Sequence, residues 1–348
     1  MPNARIIGTG SYVPERVLTN ADLEKLVDTS DEWIVTRTGI SERHIASDEQ
    51  ATSDLSYHAS RAALDAAGLD AAELDLILVA TATPDMVFPS TACVLQDRLG
   101  ARKAGALDVS AACSGFVYGL AMANGLIRSG AVRTVLLLGA ETLTKVVNWK
   151  DRNTCVLFGD GAGAVVLRAD DGDRGVLSAH LYADGSKASL LILPGGGSRH
   201  PLSQAVLDAG LNKIQMNSGN EVFKLAVRAM EDAALTALKQ NGCEIGDVDF
   251  IISHQANLRI ISALGQRLGL SSDKVVVNVD KVGNTSAASI PLALDGAVRD
   301  GRIRPGHLLL LCAFGIATYV VLARILGVRE LAEIEGMLLR RLKLRPPS

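Results

Sequence analysis

An α/β fold built from two similar halves is what this 348-residue sequence predicts. Three observations carry the expectation. Residues 62–81, AALDAAGLDAAELDLILVAT, align without a gap with residues 236–255, TALKQNGCEIGDVDFIISHQ, at an offset of 174 residues, so that Ala63, Leu64, Gly68 and Asp75 meet Ala237, Leu238, Gly242 and Asp249. A second echo pairs 119–141 with 291–314. The composition, 48% hydrophobic with 4% aromatic residues and 33 glycines, calls for a large aliphatic core crossed by tight turns. The length also exceeds the roughly 100–200 residues of a typical single domain.

Each element follows from local pattern. In both copies of the first repeat an amphipathic helix stops at a glycine, and a short turn leads into an apolar strand. "GALDVS" (105–110) reads as a strand running to Cys113. After it Phe116, Val117, Leu120, Ala121 and Leu126 make a broad apolar surface, the mark of a deeply buried helix. The second repeat reads as helix, glycine-containing turn and aliphatic strand. "DFIISHQANLRI" is an apolar strand ending in His254, and "VGNTSAASIPLAL" places Asn284 in a turn before another helix start. Continuous aliphatic strands alternating with helices imply sheets buried on both faces. In such sheets sites gather at strand ends near the junction. The expected organisation is an N-terminal half over 1–174 with the thiol, a C-terminal half over 175–327 with the histidine and asparagine, and an atypical extension over 328–348. "LPGGGSRHP" (193–201) reads as a mobile loop.

A formal net charge of −3 argues against nucleic acid as the main partner. Five cysteines without a CxxC pair argue against a disulfide framework or a zinc site, and fit a cytoplasmic location. "MPNARIIGTG" shows no charged-then-apolar leader. The greasiest run, "LLLLCAFGIA" at 308–317, is about half the ~20 residues that cross a bilayer, so no membrane partner is expected.

A cysteine at the start of a buried helix meets unpaired N–H groups and the positive end of the helix dipole. That setting is expected to lower its pKa from about 8.5 toward neutrality and to favour the nucleophilic thiolate. Free cysteines are more often inert small hydrophobes, and Cys93, Cys155, Cys243 and Cys312 are read that way. An imidazole at 254 and a carboxamide at 284 can both donate to one oxygen, and losing one such donor to an enolate typically costs about 10²–10³ in rate.

"TSDEWIVTRTGISERHIA", "PDMVFPSTAC", "DVSAACSGFVYGL", "FGDGAGAVVL", "SHQANLRI" and "GNTSAASIPLALDGAVRDGRI" together resemble β-ketoacyl-ACP synthase III, from residue 4 to about 315. The resemblance implies a thiolase-like fold, two halves in a five-layer αβαβα arrangement, and a homodimer. It implies a catalytic triad of Cys113, His254 and Asn284. The thiol would take an acyl group from acyl-CoA, and the other two would stabilise the enolate formed as malonyl-ACP loses CO₂. No metal or other cofactor is implied; acyl-CoA and the carrier protein's phosphopantetheine are substrates. Trp33, Arg37 and Arg152 fall where the family grips adenine. Thr29, Asn220, Phe223 and Asn257 fall along its pantetheine tunnel, and Phe88 where a residue caps the partner subunit's acyl pocket. Lys224, Gln255, Ala256, Leu258, Arg259 and Arg267 fall where the family meets the acidic carrier protein. The acyl-oxyanion hole would be made by Cys113, Gly315 and Ile316.

The likeness breaks after Gly315. The family continues with further glycines and Thr-Trp-Gly, whereas this chain reads IATYVVLARILGVRE. A β-branched Ile316 resists a positive φ that glycine adopts freely, so either the turn is rebuilt or acylation is weakened. Alternative readings are a relative using another acyl donor or acceptor in secondary metabolism, a Cys-dependent acyltransferase or thioesterase that never condenses, and a non-catalytic or poorly active homologue.

Overall fold

The computed structural model describes residues 1–172, 174–315 and 318–324. The first half contains β1 (Asn3–Tyr12), α1 (Asp31–Thr38), α2 (Thr52–Ala67), β2 (Leu76–Ala80), α3 (Thr91–Leu99), β3 (Gly105–Val109), α4 (Gly115–Arg128), β4 (Thr134–Glu141) and β5 (Gly161–Asp170). The second contains β6 (Gly175–Leu181), α5 (Gly219–Gln240), β7 (Phe250–Ser253), α6 (Leu258–Arg267), α7 (Ser289–Arg299), β8 (Leu308–Phe314) and β9 (Thr318–Arg324). The first sheet runs β1-β5-β4-β2-β3, with the last three parallel and β1 and β5 antiparallel. The second runs β7-β8-β9-β6, and a parallel bridge from Ile251 to Val275 extends it beyond β7.

Side-chain alternation turns these sheets into five layers. In β4, Val135 and Leu137 face the central cluster while Leu136, Leu138 and Ala140 face outward. In β8, Leu309, Leu311 and Ala313 face the same central cluster, and Leu308, Leu310 and Cys312 face away. Helices α4 and α7 fill the middle, α2 and α3 cover the first sheet, and α5 and α6 cover the second. Both β2 and β4 are buried at every position, which explains their unbroken aliphatic runs. This is the predicted thiolase-like αβαβα arrangement.

The halves repeat at the spacing seen in the sequence. β7 starts 174 residues after β2, β8 starts 174 after β4, and α7 starts 174 after α4. Two non-glycine residues have positive φ, Ala112 at 45° and Ser286 at 47°, and they too are 174 apart. Each opens the 3₁₀ turn before its central helix, and the two turns pack on each other. A β-carbon on Gly139 would lie 2.1 Å from the Ala287 carbonyl oxygen. That close approach seats the second-half turn directly on β4. The fully buried Asp295 of α7 accepts from Thr9 Oγ1 (2.7 Å) and Ser11 Oγ (2.6 Å) of β1 and from Arg299 Nε (2.8 Å), so the middle layer is locked to the first sheet.

The loop at 193–201 is held by two backbone bonds, Gly195 N–H to Leu211 O (2.7 Å) and Gly196 N–H to His200 O (2.9 Å). Among the described residues no helix is long and apolar enough to cross a membrane.

Candidate active site

Cys113 sits in the turn Ala112–Ser114, one step before α4 rather than inside the helix. Its neighbours are small because the turn is crowded: a β-carbon on Gly115 would come within 2.9 Å of Ala80 Cβ. Holding Ala112 at positive φ costs on the order of 1 kcal/mol. That strain brings the thiol to the wall of a cavity of about 270 Å³. His254 and Asn284 line the same cavity, so three side chains from both halves share one space. All three are nearly buried, at 8%, 3% and 7% exposure.

His254 continues β7, its N–H bonded to Cys312 O (2.6 Å). Its Nδ1 lies 2.7 Å from Ser289 Oγ, which accepts the Gln255 N–H (3.3 Å). The Ser289 hydroxyl proton can point at Nδ1, the arrangement that leaves the ring hydrogen on Nε2 toward the cavity. Burial lowers the imidazole pKa to about 3, so the ring is neutral at physiological pH. Asn284 is fixed through Asn284 N–H to Leu157 O (2.8 Å), and its Oδ1 accepts the Ser286 N–H (2.9 Å). With the carbonyl end occupied, the Nδ2 hydrogens are the group left for a ligand. The preceding Gly283 has φ +66°, and a β-carbon there would sit 3.0 Å from Leu157 O. Both the histidine and the asparagine are therefore presented as neutral donors.

Removing the Ser289 hydroxyl strands two buried polar groups. Ser289→Ala is expected to lose about 1–3 kcal/mol in urea denaturation, with CO₂ release from a malonyl thioester slowed more than acylation of Cys113. Equal slowing of both steps would mean that the tautomer is not what Ser289 controls.

The expected acidic thiol is not what the structure contains. Burial above all, with a smaller push from nearby Glu141, holds the Cys113 thiol up at about 11. Contact with Ser286 and a backbone hydrogen bond pull the other way and do not compensate. Taking a thiolate out of water is the largest single influence on this sulfur.

At the outer end Arg37 and Arg152 place their guanidinium carbons 4.9 and 4.8 Å from the Trp33 ring centre. Trp33, Arg37, Asn220, Phe223, Ala256, Asn257, Arg259 and Gly315 line the cavity with the three central residues. Arg152 reaches the site through Trp33 and donates to Asp28 O (2.7 Å). Thr29 Oγ1 is buried without a hydrogen-bond partner. Arg259 lies 5.5 Å from the Phe223 ring centre. Leu191 and Met216, from a short pair of strands that the sequence did not signal, complete the wall.

Other expected positions lie apart. Phe88 is 83% exposed and does not line this cavity. Lys224 is exposed on α5, and Leu258 packs under Gly39. Arg267 is paired with Glu231 at 2.6 Å. Gln255 must be corrected as a carrier-protein contact: it is fully buried, donating to Ser253 O and Val276 O and accepting from Asn278 N–H. Gly315 abuts Ser114, a β-carbon there lying 3.1 Å from Ser114 Oγ. Ile316, like the extension at 328–348, lies outside the described residues.

A buried cysteine at the head of a central helix, facing histidine and asparagine across the axis of a duplicated five-layer fold, defines the class of thiolase-like condensing enzymes. Comparison with known proteins narrows the class. Models of 3-oxoacyl-[acyl-carrier-protein] synthase III match residues 107–185 and, for its C-terminal part, 238–323. A β-ketoacyl-[acyl-carrier-protein] synthase III of Xanthomonas campestris pathovar campestris is 59% identical over 314 residues, covering 90% of this chain and 94% of that one. The synthase III crystal structure from Aquifex aeolicus is 47% identical with a TM-score of 0.85, covering 92% of this chain and 99% of that one. A priming β-ketosynthase of the R1128 polyketide pathway is 37% identical, TM-score 0.86, covering 93% and 96%. The chain belongs to the β-ketoacyl-ACP synthase III family.

Proposed function

We propose that this chain condenses an acyl-CoA primer with malonyl-ACP in two half-reactions through an acyl group on Cys113, giving 3-oxoacyl-ACP, CO₂ and CoA. The observation that carries this reading is the meeting of Cys113, His254 and Asn284 in one apolar cavity whose outer end holds the Arg37–Trp33–Arg152 cluster. In the first half-reaction the sulfur attacks the thioester carbon and CoA leaves. In the second, malonyl-ACP loses CO₂, and the Nε2–H of His254 and the Nδ2–H of Asn284 hold the enolate oxygen while its carbon attacks the acyl-Cys113 carbonyl. Leu157, Phe158 and Phe314 among the cavity walls favour an apolar acyl chain and exclude the water that would hydrolyse it.

Trp33 and its arginines would hold the nucleotide end of CoA, and Arg259 with Lys224 offers positive charge to the acidic carrier protein. Arg267 contributes less to that dock, because Glu231 already neutralises it. A homodimer fits the exposed edge. β3 closes one side of its sheet with Leu107 38% exposed, and Val87 and Phe88 nearby are more than four-fifths exposed. Phe88 would reach the partner's acyl pocket across that edge. A cytoplasmic site of action and chemistry that uses no resident cofactor belong to the same reading.

The test is intact-mass detection of acyl-Cys113 after mixing with acetyl-CoA, coupled to CO₂ release on adding malonyl-ACP. An acyl adduct without carbon–carbon bond formation would instead favour a simple acyltransferase. Trp33→Ala is expected to raise KM for acetyl-CoA about tenfold, the loss of ~1.4 kcal/mol of cation–π and stacking contact. Acylation by the N-acetylcysteamine thioester, which lacks the nucleotide, should not change.

A further inference from the structure

We propose that Arg43, with Asn20, is a positioning residue for the condensation: it holds in one frame the turn that presents Asn284 and the helix that carries Trp33 and Arg37. The proposal rests on the condensing reading above. It names what ties together the two ends of the cavity, which come from distant parts of the chain.

Arg43 faces inward from a short hairpin of Val17–Thr19 and Glu42–His44, where it pairs with Leu18. It is the largest side chain buried so completely among the described residues. Burying a guanidinium is costly, and the usual remedy is a carboxylate. Arg43 has three neutral oxygens instead. Its Nη1 donates to Asn20 Oδ1 (2.8 Å) and Leu18 O (3.1 Å), and its Nη2 donates to Val156 O (2.8 Å). A single carboxylate would absorb the whole fork. Spread over three oxygens, the fork ties the hairpin to the cavity wall.

One arm leads to the enolate donor. Val156, Leu157 and Phe158 line the cavity. Leu157 O accepts the Asn284 N–H (2.8 Å), and Asn284 O accepts the Gly159 N–H (3.1 Å), so Asn284 takes its position from this segment. The stem of Arg43 packs against the two glycines beside that pairing. A β-carbon on Gly159 would lie 3.1 Å, and one on Gly283 3.2 Å, from Arg43 Cβ. Ser41 N–H, two residues before Arg43, donates to Asp280 O (2.9 Å) and adds a further tie to the segment leading into Asn284.

The other arm leads to the nucleotide grip. Asn20, also buried, accepts from Arg43 through Oδ1 and donates through Nδ2 to Asp31 Oδ1 (2.8 Å) and Ile40 O (2.8 Å). Asp31 is the first residue of α1, and Ile40 follows the Gly39 that caps its end. Asn20 thus clamps both ends of the helix from which Trp33 and Arg37 project. An amide suits the place, since it offers an acceptor to the arginine and donors to the helix at once. Neither Arg43 nor Asn20 lines the cavity, so each acts through what it holds.

The experiment uses the full chain carrying Arg43→Lys or Asn20→Asp. Lysine keeps the charge and most of the stem but not the fork. Aspartate keeps an acceptor for Arg43 but cannot donate, and it sets a second carboxylate against Asp31. Three quantities are read: CO₂ release from malonyl-ACP without primer, KM for acetyl-CoA in acylation of Cys113, and acylation by the N-acetylcysteamine thioester. Arg43→Lys is expected to slow CO₂ release about 100-fold, the cost of a ~1 Å misplacement at a reacting centre. It should also raise KM for acetyl-CoA about tenfold, while acylation by the short thioester holds. Asn20→Asp should raise that KM alike and leave CO₂ release as it is in the parent. In an Asn284→Ala background Arg43→Lys should slow CO₂ release no further, to within about twofold, because the donor it places is gone.

CO₂ release at the parent's rate in Arg43→Lys would overturn the proposal. A further loss on top of Asn284→Ala, or equal slowing of CO₂ release and short-thioester acylation, would overturn it too, by reducing Arg43 to a general support of the fold. If Arg43→Lys does not fold, Asn20→Asp decides, and an unchanged KM for acetyl-CoA there overturns the frame. If the parent itself neither forms acyl-Cys113 nor releases CO₂, the condensing reading fails instead. CoA affinity by calorimetry, expected to be about tenfold weaker in Asn20→Asp, then still tests the frame.

Discussion

Cys113→Ala is expected to lower acyl transfer from acetyl-CoA on the order of 10⁶-fold, the loss that follows removal of a covalent nucleophile, and to leave no acyl adduct by intact mass. The fold should survive, because the change trims one sulfur from a turn already made of alanine, serine and glycine. CO₂ release from malonyl-ACP should persist, since the two neutral donors face the cavity independently of the thiol. The parent's own pH dependence gives a companion expectation. A thiol pKa raised to about 11 favours the neutral form at every pH below it. At pH 7 the thiolate fraction is on the order of 10⁻⁴. Alkylation of Cys113 by iodoacetamide should therefore climb about tenfold per pH unit past the ordinary thiol range near 8.5. A plateau at pH 7 would mean that the helix terminus, and not burial, governs the sulfur.

The failure of the acidic-thiol expectation shows where sequence reasoning stops. The strand before Cys113 and the helix after it are legible, and they give the correct sense of the helix field. Desolvation is not legible, because it depends on Ala80, Ala287 and the second-half turn closing over the site from distant parts of the chain. Gln255 and Arg267 teach the same lesson. Adjacency to His254 made Gln255 look like surface, but its side chain turns inward to bond Ser253 and Val276. Arg267 looked like a free cation until Glu231, on another helix, came within 2.6 Å. The duplicated architecture was readable for the opposite reason. Strands buried on both faces must be aliphatic throughout, so the 174-residue repeat is written directly in hydrophobic runs. Ser289 left no signal beyond a serine at a helix start.

His254→Ala and Asn284→Ala are each expected to slow CO₂ release from malonyl-ACP by about 10²–10³-fold while acylation of Cys113 stays within about tenfold of the parent. The asymmetry follows from charge. Decarboxylation develops a full negative charge on the thioester oxygen, and two neutral N–H donors in a cavity of low polarity stabilise it far more than they would in water. Acylation draws on neither donor if its oxyanion is held beside Cys113 and Gly315. Asn284→Asp sharpens the point. The side chain keeps its shape and its acceptor oxygen for the Ser286 N–H (2.9 Å), but replaces the donor with a negative charge. It should therefore decarboxylate more slowly than Asn284→Ala despite the better fit. Because burial holds His254 neutral with a pKa of about 3, CO₂ release should show no fall across pH 6–8 of the kind a titrating imidazole would produce. A step near pH 6.5, or an Asn284→Asp protein faster than Asn284→Ala, would show that a charged group and not a pair of neutral donors meets the enolate.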